Sequence, residues 1–348
     1  MDTQNSKLIH VVYVLTSSGK DIYADMNLIS LRSLRYSNPN AKITLVCDIN
    51  TVQSLETCKH PILQEANQTI SVKTLDQPAS FRNRFIKTSL REHLSGDFLY
   101  LDADTVIRGD LTPIFNLKTS FAAAPNHSGS GDPAEMPFDE KENFDLLGWA
   151  LPTQYYVNGG VLFFADTPDS YRFCQLWHQK WLASVEKRGS FRDQPSLNSA
   201  IADSGVSFSW LPHRFNAQVD VRPIYAKDAT VWHLYSSNGK IAMKTVFDQY
   251  IYRLQKGKNV TFSQIQSLCE QQHPWQANNL VDWWCIKGLL SYEGFLEVDS
   301  LKRLWMAKNY AQVKHTLTNN FKNQLRSIYY PFRSVLQILL KSIYGNPK

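Results

Sequence analysis

Cysteine is scarce in this chain of 348 residues and follows no pattern. The five are Cys47, Cys58, Cys174, Cys269 and Cys285, an odd number with no CxxC pair. That excludes a disulfide framework and a cysteine-rich zinc site, and it fits a reducing compartment. Long apolar runs are missing too. No window approaches the roughly 18 uninterrupted apolar residues of a spanning helix. The opening, MDTQNSKLIHVVYVLTSSGK, has an early acid and an apolar run broken at His10, with no small-residue cleavage site after it. No secretory leader is therefore expected, and a cytoplasmic location is. Acids are absent from Leu301 to Lys348, where nine Lys or Arg stand. Residues 1–300 then hold 28 basic against 31 acidic residues, so the net charge of +6 belongs to the C-terminal end. It says little about the main body.

What is present can build a core. The chain is 43% hydrophobic and 12% aromatic, which excludes global disorder, and its length fits one large domain with additions or two domains. LIHVVYVL (Leu8–Leu15) is a near-continuous β-branched and apolar run, as in a buried parallel strand. A helical pattern follows in DIYADMNLISLRSLRYS, then a strand in AKITLVCD and a helix in NTVQSLETCKH. FRNRFIKTSLREHL predicts an amphipathic helix, and DFLYLDAD the next strand. This alternation argues for an α/β domain with a mostly parallel sheet, whose ligands bind outside the carboxyl ends of the strands. Residues Asn126–Gln154, rich in Gly, Pro and acids, predict a long binding loop with one helical turn near Phe144. YYVNGGVLFFA predicts a turn and a buried strand, PDSYRFCQLWHQKWLASVEKR a helix, and RDQPSLNSAIADSG another with Pro195 in its first turn. VSFSWLPHRFN and ATVWHL predict short strands, and from about residue 245 the pattern is mainly helical.

The informative stretch is GDFLYLDADTVIRGD, where an apolar strand ends in Asp102 and Asp104. A calcium loop needs an acid or amide at its fifth position and glycine at its sixth; Val106 and Ile107 stand there. A haloacid-dehalogenase-like phosphatase would use Asp102 as nucleophile and Asp104 as general acid. The downstream acid pair of such enzymes, an Asp-Asp dipeptide or GDxxxD, is not in the sequence. A third chemistry is a D-x-D clamp, two carboxylates holding a hard cation against a diphosphate. A solvated turn with Asp capping backbone N–H groups also fits an isolated motif.

The surrounding block decides among these by resemblance. FRNRFIKTSLREHLSGDFLYLDADTVIRGDLTPIF resembles the central block of the family 8 glycosyltransferases, retaining enzymes of the GT-A fold related to glycogenin and to bacterial lipopolysaccharide galactosyl- and glucosyltransferases. The resemblance implies a Rossmann-like mixed sheet flanked by helices, with a helical C-terminal extension. It implies that Asp102 and Asp104 bind Mn²⁺ or Mg²⁺, that Ala103 leaves room for the nucleotide, and that Lys87 contacts the donor. VNGGVLFF resembles the family's Asn-x-Gly-Val strand, with Asn158 bonding the donor sugar and Gly159 and Gly160 allowing close backbone approach. RDQPSLN resembles Asp-Gln-x-x-x-Asn, with Asp193 on the sugar hydroxyls and Gln194 near the reacting carbon. A helix N-cap role for Asp193 is compatible with that. VWHLYSSNGK resembles the C-terminal His and Gly-Lys element, making His233 the third metal ligand and Lys240 a diphosphate contact. VYVLTSSGKDIYADM resembles the first strand and loop, with Thr16, Ser17 and Tyr23 around the base, although the acids common there are absent.

The expected function is transfer of a hexose from a UDP-sugar to a glycan or glycolipid acceptor. The phosphatase and a non-catalytic carbohydrate-binding relative are the alternatives. The expected layout is a catalytic domain over 1–245, a helical region over 246–319 and a basic amphipathic tail over 320–348. That tail spaces Phe321, Leu325, Ile328, Phe332 and Val335 by threes and fours, with Lys322, Arg326, Arg333 and Lys341 among them. The pattern fits peripheral attachment to an anionic membrane, and equally a helix packed on the body or a partner. Nucleic-acid binding is not expected, because the basic residues interleave with an aliphatic stripe.

Overall fold

Every residue of His10–Leu15 (β1) is buried, as in a strand covered on both faces. Val11, Tyr13 and Leu15 face one core, with Ala24, Leu28 and Leu31; Val12 and Val14 face another, with Phe98, Phe173 and Trp177. A computed structural model describes residues 8–126, 136, 138–152, 156–219, 221–234, 245–277 and 286. Its further strands are Lys42–Asp48 (β2), Gln68–Val72 (β3), Phe98–Leu101 (β4), Thr105–Ile107 (β5) and Phe121–Pro125 (β6). Val157–Phe164 (β7), Phe208–Trp210 (β8), Ala217–Gln218 (β9) and Val231–His233 (β10) complete them. Among the described residues these form a seven-stranded sheet in the order β3-β2-β1-β4-β7-β6-β8 and a small sheet in the order β5-β10-β9. β1 pairs parallel with β2 and β4, while β7 runs antiparallel between β4 and β6. This is the α/β sheet expected from the alternation of elements, in the Rossmann-like mixed form that the family resemblance implies.

The helices follow their sequence signals closely. Asp21 caps the Ile22–Ser37 helix by accepting from Tyr23 N–H, and Thr167 caps Pro168–Arg188 by accepting from Ser170 N–H. The latter ends at Gly189, whose φ of 63° is the left-handed conformation that glycine adopts without strain. The segment around Lys87 is not one helix. It is Ala79–Thr88 followed by a short turn at Leu90–His93. Within Asn126–Gln154 the described part includes a ten-residue helix, Phe138–Leu147, where one turn was expected. Phe144 on that helix is fully buried beside Trp149 and Tyr156, which supplies the tertiary packing a weakly amphipathic segment needs.

The chain divides into two compact units, Met1–Trp275 and Gln276–Lys348. The helices Val246–Gln255 and Phe262–Glu270 lie in the first and pack on Ile22–Ser37. Tyr36 makes an edge contact with Phe262 and donates to Glu270 Oε1 at 2.6 Å. Residues 320–348, the basic tail of the sequence reading, and Lys240 lie outside the described residues. Among the described residues no helix is long and apolar enough to cross a membrane.

Candidate active site

β4 ends at Leu101 with all four side chains buried, so the chain leaves the sheet at Asp102. Two bonds define the exit. Asp102 N–H donates to the carbonyl of Gly160 on β7 at 2.9 Å, and Thr105 Oγ1 donates to the Asp102 carbonyl at 2.8 Å. The tight turn sends β5 into the small sheet, where it pairs antiparallel with β10 and sets His233 opposite Thr105. Asp104 accepts on its carbonyl from Leu234 N–H at 2.9 Å. Residues 130 positions apart in the chain are thereby brought together. His233 Nε2 lies 3.3 Å from Asp104 Oδ1 and 3.8 Å from Asp102 Oδ2. One ligand atom from each of the three residues falls within 4.8 Å of the others.

The imidazole is oriented from behind. His233 Nδ1 is 2.9 Å from Asn216 Oδ1, and Asn216 Nδ2 donates to Asn158 Oδ1 at 2.9 Å. With its NH₂ group used on Asn158, Asn216 offers an acceptor, so Nδ1 carries a proton and Nε2 faces the carboxylates. Burial disfavours charge on His233, but Asp104 and Asp102 outweigh it and hold its pKa above the ordinary imidazole value. Burial likewise pushes the Asp104 carboxyl up, and His233 beside it prevails and holds it low.

A second cluster adjoins the first. Asp193 stands at the N-terminus of the Gln194–Ser204 helix, yet its side chain makes no cap hydrogen bond. The N-cap role is overridden by two cations. Lys87 Nζ lies 2.8 Å from Asp193 Oδ2, and Arg84 Nε donates to Asp193 Oδ1 at 3.0 Å. Burial raises the Asp193 carboxyl, while Lys87 and Arg84 more than offset this and keep it below the usual range. Lys87 also reaches Asp102 Oδ1 at 3.4 Å and sits 4.8 Å over the Tyr100 ring, whose hydroxyl donates to Asp102. Only 3% of the Lys87 side chain is exposed, so its ammonium is committed to these carboxylates.

Asn158, Gly159 and Gly160 open β7. Asn158 Oδ1 accepts from Gly160 N–H at 2.9 Å, and Asn158 Nδ2 donates to Asn126 Oδ1 at 3.2 Å. Gln194 Oε1 accepts from Gly159 N–H at 3.2 Å. Thr16 and Ser17 follow the carboxyl end of β1, the parallel neighbour of β4. Thr16 Oγ1 donates to the Ala79 carbonyl at 3.1 Å, and Ser17 Oγ to Asp21 Oδ1 at 2.8 Å. Tyr23, at the start of the first helix, is 40% exposed, and Ala103 is half-buried. Sequence reasoning missed Arg84, Tyr100, Asn126, Glu140 and Asn216. Arg84 alone had a signal, three residues before Lys87 on one helix.

The arrangement can hold a divalent cation on two carboxylates and an imidazole, beside a carboxylate and an amide placed for polar recognition. Among solved structures the chain is similar to the galactosyltransferase LgtC in complex with donor and acceptor sugar analogs, at 19% identity over 73% of this chain and 97% of that one, TM-score 0.47. Mouse xyloside xylosyltransferase 1 is similar at 12% identity over 66% and 98%, TM-score 0.45. The glycosyltransferase GlyE of Streptococcus pneumoniae TIGR4 is similar at 17% identity over 78% and 66%, TM-score 0.46. No curated protein sequence matches. The profile of one family, described as glycosyl transferase family 8, matches residues 16–250, a span that takes in every residue of both clusters. The chain that brings Asp102, Asp104 and His233 together is thus a glycosyltransferase and belongs to glycosyl transferase family 8.

Proposed function

We propose that the protein moves a hexose from a nucleotide-diphospho-sugar, a UDP-sugar, to a hydroxyl of a glycan or glycolipid, with retention at the anomeric carbon. The observation that carries this reading is the convergence of Asp102, Asp104 and His233 at the carboxyl end of β4. Two carboxylates and one imidazole are suitable donors for Mn²⁺ or Mg²⁺. Such a cation, when bound, stabilises the negative charge that develops on a diphosphate leaving group.

The chain's own groups supply the rest. Asp193, clamped by Arg84 and Lys87, is a fixed acceptor for sugar hydroxyls, and Asn158 adds a polar contact beside it. Lys87 acts on the donor through the two carboxylates it touches. Gly159, Gly160 and Ala103 leave room for close approach. Thr16, Ser17 and Tyr23 flank the base, and Lys240 meets the diphosphate. Gln194 lies by the reacting carbon. An amide is a poor covalent nucleophile, which favours front-face displacement: the acceptor oxygen bonds to the anomeric carbon, the bond to phosphate breaks, and the departing phosphate oxygen takes the acceptor's proton.

Residues 1–245 are the catalytic domain in this reading, 246–319 a helical C-terminal region, and 320–348 a basic tail that attaches to the inner face of an anionic membrane. The test of the activity is a thermal-shift panel of sugar nucleotides with and without Mn²⁺, followed by turnover of the best donor. Stabilisation that needs both components, and is lost in Asp102→Asn, is expected; full activity in that variant would sink the reading. Flotation with phosphatidylserine vesicles, with and without residues 320–348, tests the tail. If neither form floats, the membrane proposal fails.

A further inference from the structure

Glu140 has no place in the chemistry above, yet it is only 8% exposed and sits against the transfer site. A buried carboxylate is costly unless donors surround it. Glu140 Oε2 accepts from the Tyr156 hydroxyl at 2.5 Å and from Gln194 Nε2 at 3.5 Å, and Oε1 lies 3.8 Å from Arg192 Nη1. The helix that carries it is anchored just beyond it. Phe144 is buried one turn on, and Glu142 pairs with Arg188 of the neighbouring helix at 3.4 Å. Burial, followed by the charge of Glu140, pushes the Tyr156 phenol well above its ordinary pKa, so that hydroxyl is a donor.

The other end of Gln194 faces the glycine strand. Its Oε1 accepts from Gly159 N–H at 3.2 Å and from Asn158 Nδ2 at 3.4 Å. A carboxylate can only accept, and a backbone N–H can only donate. Turning the amide over would set its oxygen against Glu140 and its NH₂ against Gly159 N–H. The individual contacts are long, so the orientation comes from two mismatches avoided together rather than from one strong bond.

We infer that Glu140 is a positioning residue that fixes which way the Gln194 amide points, holding Oε1 on the side of Asn158 and Gly159 where the donor sugar is placed. This rests on the transferase reading. Glu140→Gln keeps the volume and can still accept from Tyr156, but it offers Gln194 a second amide, so the mismatch on that side disappears and only the Gly159 side still favours one orientation.

The experiment uses the full chain with Mn²⁺ and either UDP-glucose or UDP-galactose, whichever the wild type turns over, with UDP release as the readout. Glu140→Gln is expected to lower kcat by about 10- to 100-fold, the scale of a small misplacement at a reacting centre. Donor KM is expected to stay within about threefold and the melting temperature to hold. In a Gln194→Ala background the same substitution should cost nothing further, because residues acting through one another do not add. An unchanged kcat in Glu140→Gln overturns the inference. So does a loss that tracks a fall in melting temperature, or one that multiplies undiminished onto Gln194→Ala. A wild type that turns over neither donor, nor any other sugar nucleotide in the panel, fails at the transferase reading itself and takes this inference with it.

Discussion

Gly160 lies directly beneath the imidazole of His233: a Cβ at position 160 would stand 2.2 Å from His233 Cε1 and 2.7 Å from Nδ1. Real Cβ contacts do not come so close, so glycine at 160 is a condition of the Asp102–Asp104–His233 cluster. Gly160→Ala is therefore expected to expel the ring and weaken Mn²⁺ binding by more than about 100-fold, the upper end of what a lost outer partner costs a metal site. Gly159→Ala is the contrast. Its Cβ would be 3.4 Å from Lys87 Nζ and 3.6 Å from Asp193 Oδ2, which is close to ordinary contact. Titration calorimetry with Mn²⁺ on both variants checks this. Equal affinities would show that the ring finds room elsewhere.

Asn216 is the next layer. It accepts from His233 and donates to Asn158, so one amide links the Asp102–Asp104–His233 cluster to the start of β7. Asn216→Ala frees the ring to rotate and leaves the Nδ1 proton without that acceptor. A loss of about 10- to 100-fold in Mn²⁺ affinity is expected, with Asp102 and Asp104 still in place. Unchanged affinity would mean that the β5–β10 pairing alone orients the ring.

The Lys87–Asp193 pair is buried on both sides, and that predicts its energetics. Removing one partner of such a pair leaves an uncompensated charge and costs roughly 3–5 kcal/mol. Lys87→Met should fall toward the lower end, since Arg84 still holds Asp193. Lys87→Met with Asp193→Asn should recover part of the loss, because the orphaned carboxylate is gone. Urea unfolding of the three variants measures it. A double variant no more stable than Lys87→Met would show that the burial of Asp193 costs little.

How much of this was legible depends on whether the information was local. Asp102 and Asp104 were legible as a pair because a buried apolar strand announces the tight turn on which both carboxylates stand. β1, β2, β4 and β7 were legible as continuous apolar or β-branched runs. β3 was not, since it is mostly solvent-facing, nor was β6, whose FAAAP has little β preference of its own. The local rules also misled at Asp193: the helix start invites a cap, but two cations from the Ala79–Thr88 helix draw the carboxylate away. Asn216 matters only because β9 pairs with β10, a contact no window of sequence contains. Glu140 stands in an acid-rich segment where a solvated carboxylate is the ordinary expectation, and its burial against Tyr156 and Gln194 depends on contacts no window of sequence contains.

Acid stability is a separate prediction, from the far end of β1. His10 is buried there, with Nε2 2.8 Å from Thr44 Oγ1. Burial, with Lys42 and Arg91 adding to it, lowers its pKa from 6.5 to about 4. In the unfolded chain the imidazole takes up a proton as the pH falls through 6.5, while in the folded chain it stays neutral down to about 4. The unfolded state thus binds more protons across that window, and stability must fall as pH falls within it, with the full contribution present above 6.5. His93, His178 and His273, whose pKa values burial also lowers, add in the same direction. His10→Gln keeps a partner for Thr44 and removes one titrating group. Denaturant unfolding at pH 7 and pH 5 should show a smaller decline in the variant than in the wild type. Equal declines would place the acid sensitivity in the other histidines and leave His10 titrating alike in both states.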